Sequence, residues 1–250
     1  MTGLLFTLYG VVAYLVFFAT FLYAIAFVGD LPVPRTIDSG LPGPLVPSLL
    51  IDAALLGLFA VQHSVMARPA FKRVWTRIVP KPIERSTYVL FASLALIVMF
   101  VFWRPLPQLV WEAPAGLAAT ALAVLFWAGW GVVLVSTFLI SHFELFGLQQ
   151  VWNRLRGRPP APIAFRTPGF YRGVRHPIYL GFIVAFWATP AMSLGHLVFA
   201  VATLGYILIA IQFEERDLIA VFGDRYRAYR AQVGMLIPKL GARGKPERAA

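Results

Sequence analysis

Two polar segments hold the residue types from which a reaction site could be built. The first reads Thr167-Pro168-Gly169-Phe170-Tyr171-Arg172-Gly173-Val174-Arg175-His176-Pro177-Ile178-Tyr179-Leu180-Gly181. Its glycines and prolines allow tight turns and close backbone approach to a ligand. Pro177 suits the first turn of a helix, where its missing N–H costs nothing. Free amides at that helix start, with Arg175 beside them, suit a carboxylate or phosphate. A basic interfacial loop leading into a helix accounts for the same residues equally well. The second segment reads Gln212-Phe213-Glu214-Glu215-Arg216-Asp217-Leu218 and continues to Tyr229. Adjacent carboxylates at the end of an apolar run are not what headgroup anchoring favours. Glu214 and Glu215 serve either as partners of the abundant arginines or as polar contacts to a ligand.

The histidines divide by position. His63, His142 and His176 fall at the ends of apolar runs on the basic side of the chain, whereas His196 falls in an outer turn and reads as interfacial. None shows the i, i+3 or i, i+4 spacing of a metal ligand pair, so no metal site is expected. The chain has no cysteine. Thiol nucleophiles, iron–sulfur clusters and thiolate zinc sites are excluded with it.

The elements that must position these residues belong to a bilayer. Of 250 residues 59% are apolar and 13% charged, with a mean hydropathy of +0.74; soluble domains run roughly 45–50% apolar and 25% charged. Apolar runs at 3–28, 46–67, 86–103 and 115–140 are long enough to span hydrocarbon as helices. A helical hairpin follows at 178–190 and 194–213. The expected fold is an all-α integral membrane protein of five to six transmembrane helices, with a cytosolic-face loop and C-terminal interfacial helices. Leu218, Phe222, Tyr226, Tyr229 and Val233 recur at helical spacing, which predicts an amphipathic helix, or a pair broken at Gly223. The first span is too long, and lacks the small-residue cleavage site, for a signal peptide. Proline-rich stretches at 32–47 and 159–168 read as connectors. Three parts result: a four-helix N-terminal part (1–140), a part rich in polar motifs (141–238) and a basic tail (239–250).

Net charge is +11. Sorted by loop, 20 of the 22 basic residues fall on one side of the spans and two on the other. Basic loops stay in the cytoplasm, so both termini are predicted inside. The charge therefore anchors topology and meets anionic lipid headgroups. No recognition fold for nucleic acid accompanies it.

The TxGxY…RHPxYxG pattern, followed by an EE…L…FG…Y…Y tail, resembles the isoprenylcysteine carboxyl methyltransferase-like superfamily over roughly 140–238. The resemblance implies that both motifs fold together on the cytosolic face around S-adenosylmethionine. It places Tyr171, Arg175, His176, Pro177, Tyr179, Leu180 and Gly181 in the cofactor pocket. Glu214 and Glu215 would contact the ribose or amino group, with Tyr226 nearby. Gln62 to Arg68, Ile83 to Tyr88 and His142 to Leu148 further resemble the methanethiol S-methyltransferase branch, which converts methanethiol to dimethyl sulfide.

Methyl transfer from a sulfonium to a thiolate annihilates charge, so a dry pocket suits it. Forming the thiolate there needs a base or a positive neighbour. His142, two residues from Glu144, is the first candidate and His63 the second; each serves equally well as a satisfied polar residue at a span end. Phe138, Phe143, Phe146, Phe182, Phe186 and Trp187 could wall a small substrate pocket, or simply pack. Three other readings stay open: methylation of a lipid amine or prenylcysteine-type carboxylate, a nicotinamide-dependent membrane reductase, and a non-enzymatic accessory protein of a denitrification-linked group.

Overall fold

The computed structural model describes residues 2–159 and 164–239. The expected basic tail beyond Lys239, and positions 160–163 of the second proline-rich connector, lie outside the described residues. In chain order the elements are α1 (Thr2–Val28), α2 (Leu45–Ala67), α3 (Pro69–Trp75), α4 (Lys81–Phe102), β1 (Leu109–Glu112), α5 (Leu117–Ile140), α6 (His142–Leu145), α7 (Leu148–Leu155), α8 (Pro177–Trp187), β2 (Ala191–Ser193), α9 (Leu194–Phe222) and α10 (Asp224–Gln232). Five of these, α1, α2, α4, α5 and α9, are long and apolar enough to cross a membrane. The protein is an all-α, multi-pass membrane protein, and its spans follow the apolar runs of the sequence to within a few residues.

The hairpin is asymmetric. α8 has 11 residues, which at about 1.5 Å per residue reaches roughly half of a hydrocarbon core about 30 Å thick. Pro177 starts it and an extended segment ends it. Small residues hold it against α5: a Cβ on Gly181 would lie 2.7 Å from the Gly129 carbonyl oxygen and 2.8 Å from Val133, and one on Gly129 would lie 2.6 Å from the Ala185 nitrogen. Without a hydrophobic drive between helices in lipid, such backbone proximity is what joins them. Gly181 is therefore committed to helix packing rather than to a pocket wall.

α9 is longer than the sequence reading allowed. No glycine or proline interrupts Tyr206 to Phe222, so the helix continues past the twin acids as one rod and breaks at Gly223, whose φ is +56°. The turn to α10 falls where the glycine predicted it.

The two short strands close the end of the bundle opposite the basic loops. β1 pairs antiparallel with β2, with Leu109 opposite Ser193. Beneath them Phe27, Phe100, Trp103, Phe126, Trp130 and Phe199 belong to one buried cluster. His196 is buried there: its Nε2 meets the Phe186 carbonyl oxygen at 2.9 Å and its backbone N–H donates to the Ser193 hydroxyl. The expected interfacial histidine is instead a pin inside the hairpin, because its position in the first turn of α9 points it back toward α8.

Candidate active site

The N-terminus of α8 is set by its own sequence and by the chain that follows α10. Gly169 takes φ +50° where a Cβ would strike Leu139 at 2.8 Å, so glycine lets the turn lie against the end of α5. Tyr171 is buried, and its carbonyl accepts the Tyr229 hydroxyl at 2.5 Å. The Arg175 amide donates to the Gly234 carbonyl at 2.8 Å and the His176 amide to Met235 at 3.2 Å. Both polar motifs of the sequence are thus stitched together through the backbone.

Side chains complete the joint. Glu215 binds Arg175 Nε at 2.6 Å, His176 Nε2 at 3.1 Å and Arg230 Nε at 3.1 Å, with its side chain 4% exposed. Arg175 also donates to the carbonyls of Val233 and Arg230. A buried carboxylate so surrounded is satisfied, and its removal would strand the buried Arg175 guanidinium. Glu215, Arg175 and His176 are the lock between α8, α9 and α10.

Glu214, one residue earlier, turns to a different face. Its Oε2 accepts the Tyr179 hydroxyl at 2.8 Å. No side chain among the described residues donates to Oε1. Its charge also acts on the hydroxyls of Tyr88 and Tyr206, so α4 and the inner part of α9 face the same space. Tyr226 is 2% exposed and its hydroxyl has no hydrogen-bond partner among the described residues. Burial holds the Tyr171 and Tyr226 hydroxyls above the usual phenol range, and pushes Tyr229 up to about 12. All three remain protonated near neutral pH; Tyr171 and Tyr229 donate to backbone carbonyls, and Tyr226 keeps a proton to give. Pro177 is buried at the start of α8, and Leu180 is half-buried one turn on.

The two candidate bases occupy different surroundings. The His63 ring lies with Nε2 2.9 Å and Nδ1 3.0 Å from the Tyr88 hydroxyl, stacked on Phe59. Arg68 and Arg85 are near enough for their charges to reach it. Its neighbour Ser64 donates to the Tyr206 hydroxyl at 3.2 Å. Tyr88 thus meets His63, Tyr206 meets Ser64, and the Glu214 charge reaches both phenols. His142 has both ring nitrogens engaged, by Tyr14 at 2.9 Å and Thr137 at 2.8 Å. Phe138 stacks on it at 4.2 Å. Glu144 is exposed and lines a depression with Lys81, Gln149 and Arg154. The spacing of His142 and Glu144 brings no side-chain contact between them, because His142 turns inward and Glu144 outward.

The expected aromatic pocket is also divided. Phe182 and Phe186 pack edge-on against Trp130 in the core, Phe146 stacks on Phe17 at 3.8 Å, and Phe138 and Phe143 are exposed. The residues that sequence reasoning passed over are Tyr88 and Tyr206. A lone phenol inside an apolar span is a visible signal for each, since polar groups in hydrocarbon need a partner.

A family model described as a protein family of unknown function, DUF1295, matches residues 60–233. A methanethiol S-methyltransferase from Mycobacterium tuberculosis is 56% identical over 231 residues, covering 92% of this chain and 95% of the relative. Methanethiol S-methyltransferase 1 from Bradyrhizobium diazoefficiens is 58% identical, covering 92% of this chain and 81% of the relative. The chain belongs to the methanethiol S-methyltransferase family. Rat Nurim is 30% identical over 183 residues, covering 70% of this chain and 69% of Nurim. No solved structure matches. The family match covers every side chain of the Glu214 face, from His63 to Tyr226.

Proposed function

We propose that this protein methylates methanethiol to dimethyl sulfide with S-adenosylmethionine as methyl donor, at the cytoplasmic face of the membrane with both termini inside. The observation that carries the reading is the Tyr179–Glu214 hydrogen bond, which leaves one carboxylate oxygen over on a residue whose charge reaches Tyr88, the partner of His63, and Tyr206, the partner of Ser64. The orientation rests on the asymmetry of basic residues between the two sides.

The residues fit such a donor. Glu214 Oε1 and the orphaned Tyr226 hydroxyl offer an acceptor and a donor to an ammonium group and ribose hydroxyls. The phenol faces attract a cation. The first-turn amides of Ile178 and Tyr179 at the start of α8 suit a carboxylate. Arg175, His176 and Glu215 hold these elements in place, and Pro177, Leu180 and Gly181 shape the backbone beneath them.

S-adenosylmethionine, when bound, supplies an electrophilic methyl group on a sulfonium. His63 accepts the thiol proton as the S–H bond breaks. The Arg68 and Arg85 charges favour the thiolate so formed. The methyl group so supplied would pass to the thiolate sulfur, leaving both sulfur atoms neutral and one proton for His63 to release. Positioning of the two sulfur atoms supplies most of the acceleration. Phe59, Tyr88 and Tyr206 keep water from the reacting atoms. Headspace analysis tests the reading: membranes holding the protein should release dimethyl sulfide when given methanethiol and S-adenosylmethionine, and their silence would overturn it.

A further inference from the structure

A groove of about 300 Å³ runs between α2 and α9, lined by Ala53, Gly57, Phe59, Ala60, Ala202 and Tyr206 among others. It lies along the apolar stretches of two membrane-crossing helices, and Ala53 and Ala202 are exposed at its walls. Its occupant must therefore come from lipid. Small residues on its walls leave it open, and among the described residues no carboxylate, guanidinium or ammonium lines it. Its inner end is not blank. Phe59 stacks on His63 with ring centroids 5.1 Å apart, Tyr206 crosses Phe59 at 6.2 Å, and the Tyr206 hydroxyl receives the Ser64 proton.

We infer that this groove is the route by which the thiol reaches the site from the bilayer, with Gly57 setting its width and Phe59 and Tyr206 forming its inner gate. The inference rests on the proposed methyl transfer. A one-carbon thiol is neutral when protonated, dissolves in hydrocarbon and needs no charged contact on the way. The Thr203 hydroxyl on the wall is spent on the α9 backbone, so the thiol is next met by Tyr206 and then His63, where it would lose its proton. Selectivity then follows from exclusion at the inner end, where the Phe59 and Tyr206 rings bound the way, without any grip on the small substrate. A lipid acyl chain or a second copy of the protein seated in the groove would instead block that route.

Gly57 offers a clean test, because a Cβ there meets no atom within 4 Å. Gly57→Leu starts from a Cβ in open space and extends into the groove. Gly131→Leu is the control: a Cβ on Gly131 of α5 also meets nothing within 4 Å, and that residue does not line the groove. Kinetics are measured in proteoliposomes. Gly57→Leu should raise KM for methanethiol about tenfold with kcat nearly unchanged, the signature of hindered access rather than lost chemistry. Ethanethiol should suffer more than methanethiol. The dissociation constant for S-adenosylmethionine should be unchanged, and Gly131→Leu should behave as the parent. Ala202→Leu, on the opposite wall, should repeat the effect and serves if Gly57→Leu does not fold. Unchanged KM in the groove variants, or an equal rise in Gly131→Leu, overturns the route. A parent protein that makes no dimethyl sulfide overturns the underlying reaction instead, so the two failures are told apart.

Discussion

The Tyr179 hydroxyl donates to Glu214 Oε2 at 2.8 Å, joining the first turn of α8 to the point where α9 leaves its apolar stretch. Its neighbour Glu215 meets two guanidinium groups and the His176 imidazole on the adjoining face of the same helix. Two identical side chains in sequence thus have opposite duties. One is neutralised by the protein, and the other keeps an oxygen free of protein donors.

Glu214→Gln should therefore leave the fold intact and weaken S-adenosylmethionine. It keeps the shape and the Tyr179 contact but removes the charge that would face an ammonium or sulfonium. The dissociation constant should rise about tenfold to a hundredfold, roughly 1.4–2.8 kcal/mol. Equilibrium dialysis with labelled cofactor reads it, beside a thermal melt that should match the parent.

Glu215→Ala should do the reverse. Removing the shared counter-charge leaves the buried Arg175 guanidinium, its side chain 8% exposed, without its carboxylate. Breaking a buried pair in this way costs about 3–5 kcal/mol. The expected outcome is a large drop in melting temperature in detergent, while whatever folded fraction remains keeps cofactor affinity near that of the parent. A stable Glu215→Ala protein with poor cofactor binding would exchange the duties of the two acids.

The contrast explains what the sequence could and could not disclose. The spans were legible because a helix in hydrocarbon must satisfy its own backbone, and only long apolar runs do so. The break at Gly223 and the start at Pro177 were legible because both residues act on the local backbone. That the two polar motifs meet was legible from a resemblance alone. Which acid is spent and which is free was not, since a difference of one residue, about 100° around a helix, reverses the direction of a side chain. His142 and Gly181 show the same limit. Residue type put forward the first and the family resemblance the second; Thr137 and Tyr14 engage the ring nitrogens of one, and the α5 backbone occupies the space over the other. β1 and β2 escaped notice because strands of four and three residues carry too little alternation to read.

Burial lowers the pKa of His142 from the ordinary histidine value of 6.5. The folded protein therefore holds it neutral where the unfolded chain already binds a proton. Its contribution to stability is fully present above pH 6.5 and is lost as pH falls through the lower folded value. Melting temperature should decline between pH 7 and pH 5, and less steeply in His142→Phe, which keeps an aromatic ring beside Phe138 but cannot titrate. Equal slopes in parent and variant would show that His142 is not the group responsible.

His63 should be required for turnover but not for cofactor binding. His63→Ala removes the one imidazole that shares a face with Tyr88, Tyr206 and Glu214 and leaves the lock around Glu215 untouched. A general base contributes about 10²–10⁴-fold, so kcat for dimethyl sulfide formation should fall by about that factor at neutral pH with an unchanged dissociation constant for S-adenosylmethionine. The residual rate should then climb with pH, because solution hydroxide delivers the thiolate that the missing base no longer makes, whereas the parent rate should level off once His63 is neutral. His142→Phe, assayed alongside, should keep most of the parent kcat. A His63→Ala protein of full activity, paired with a His142→Phe protein of none, would move the base to the aromatic nest at the end of α5.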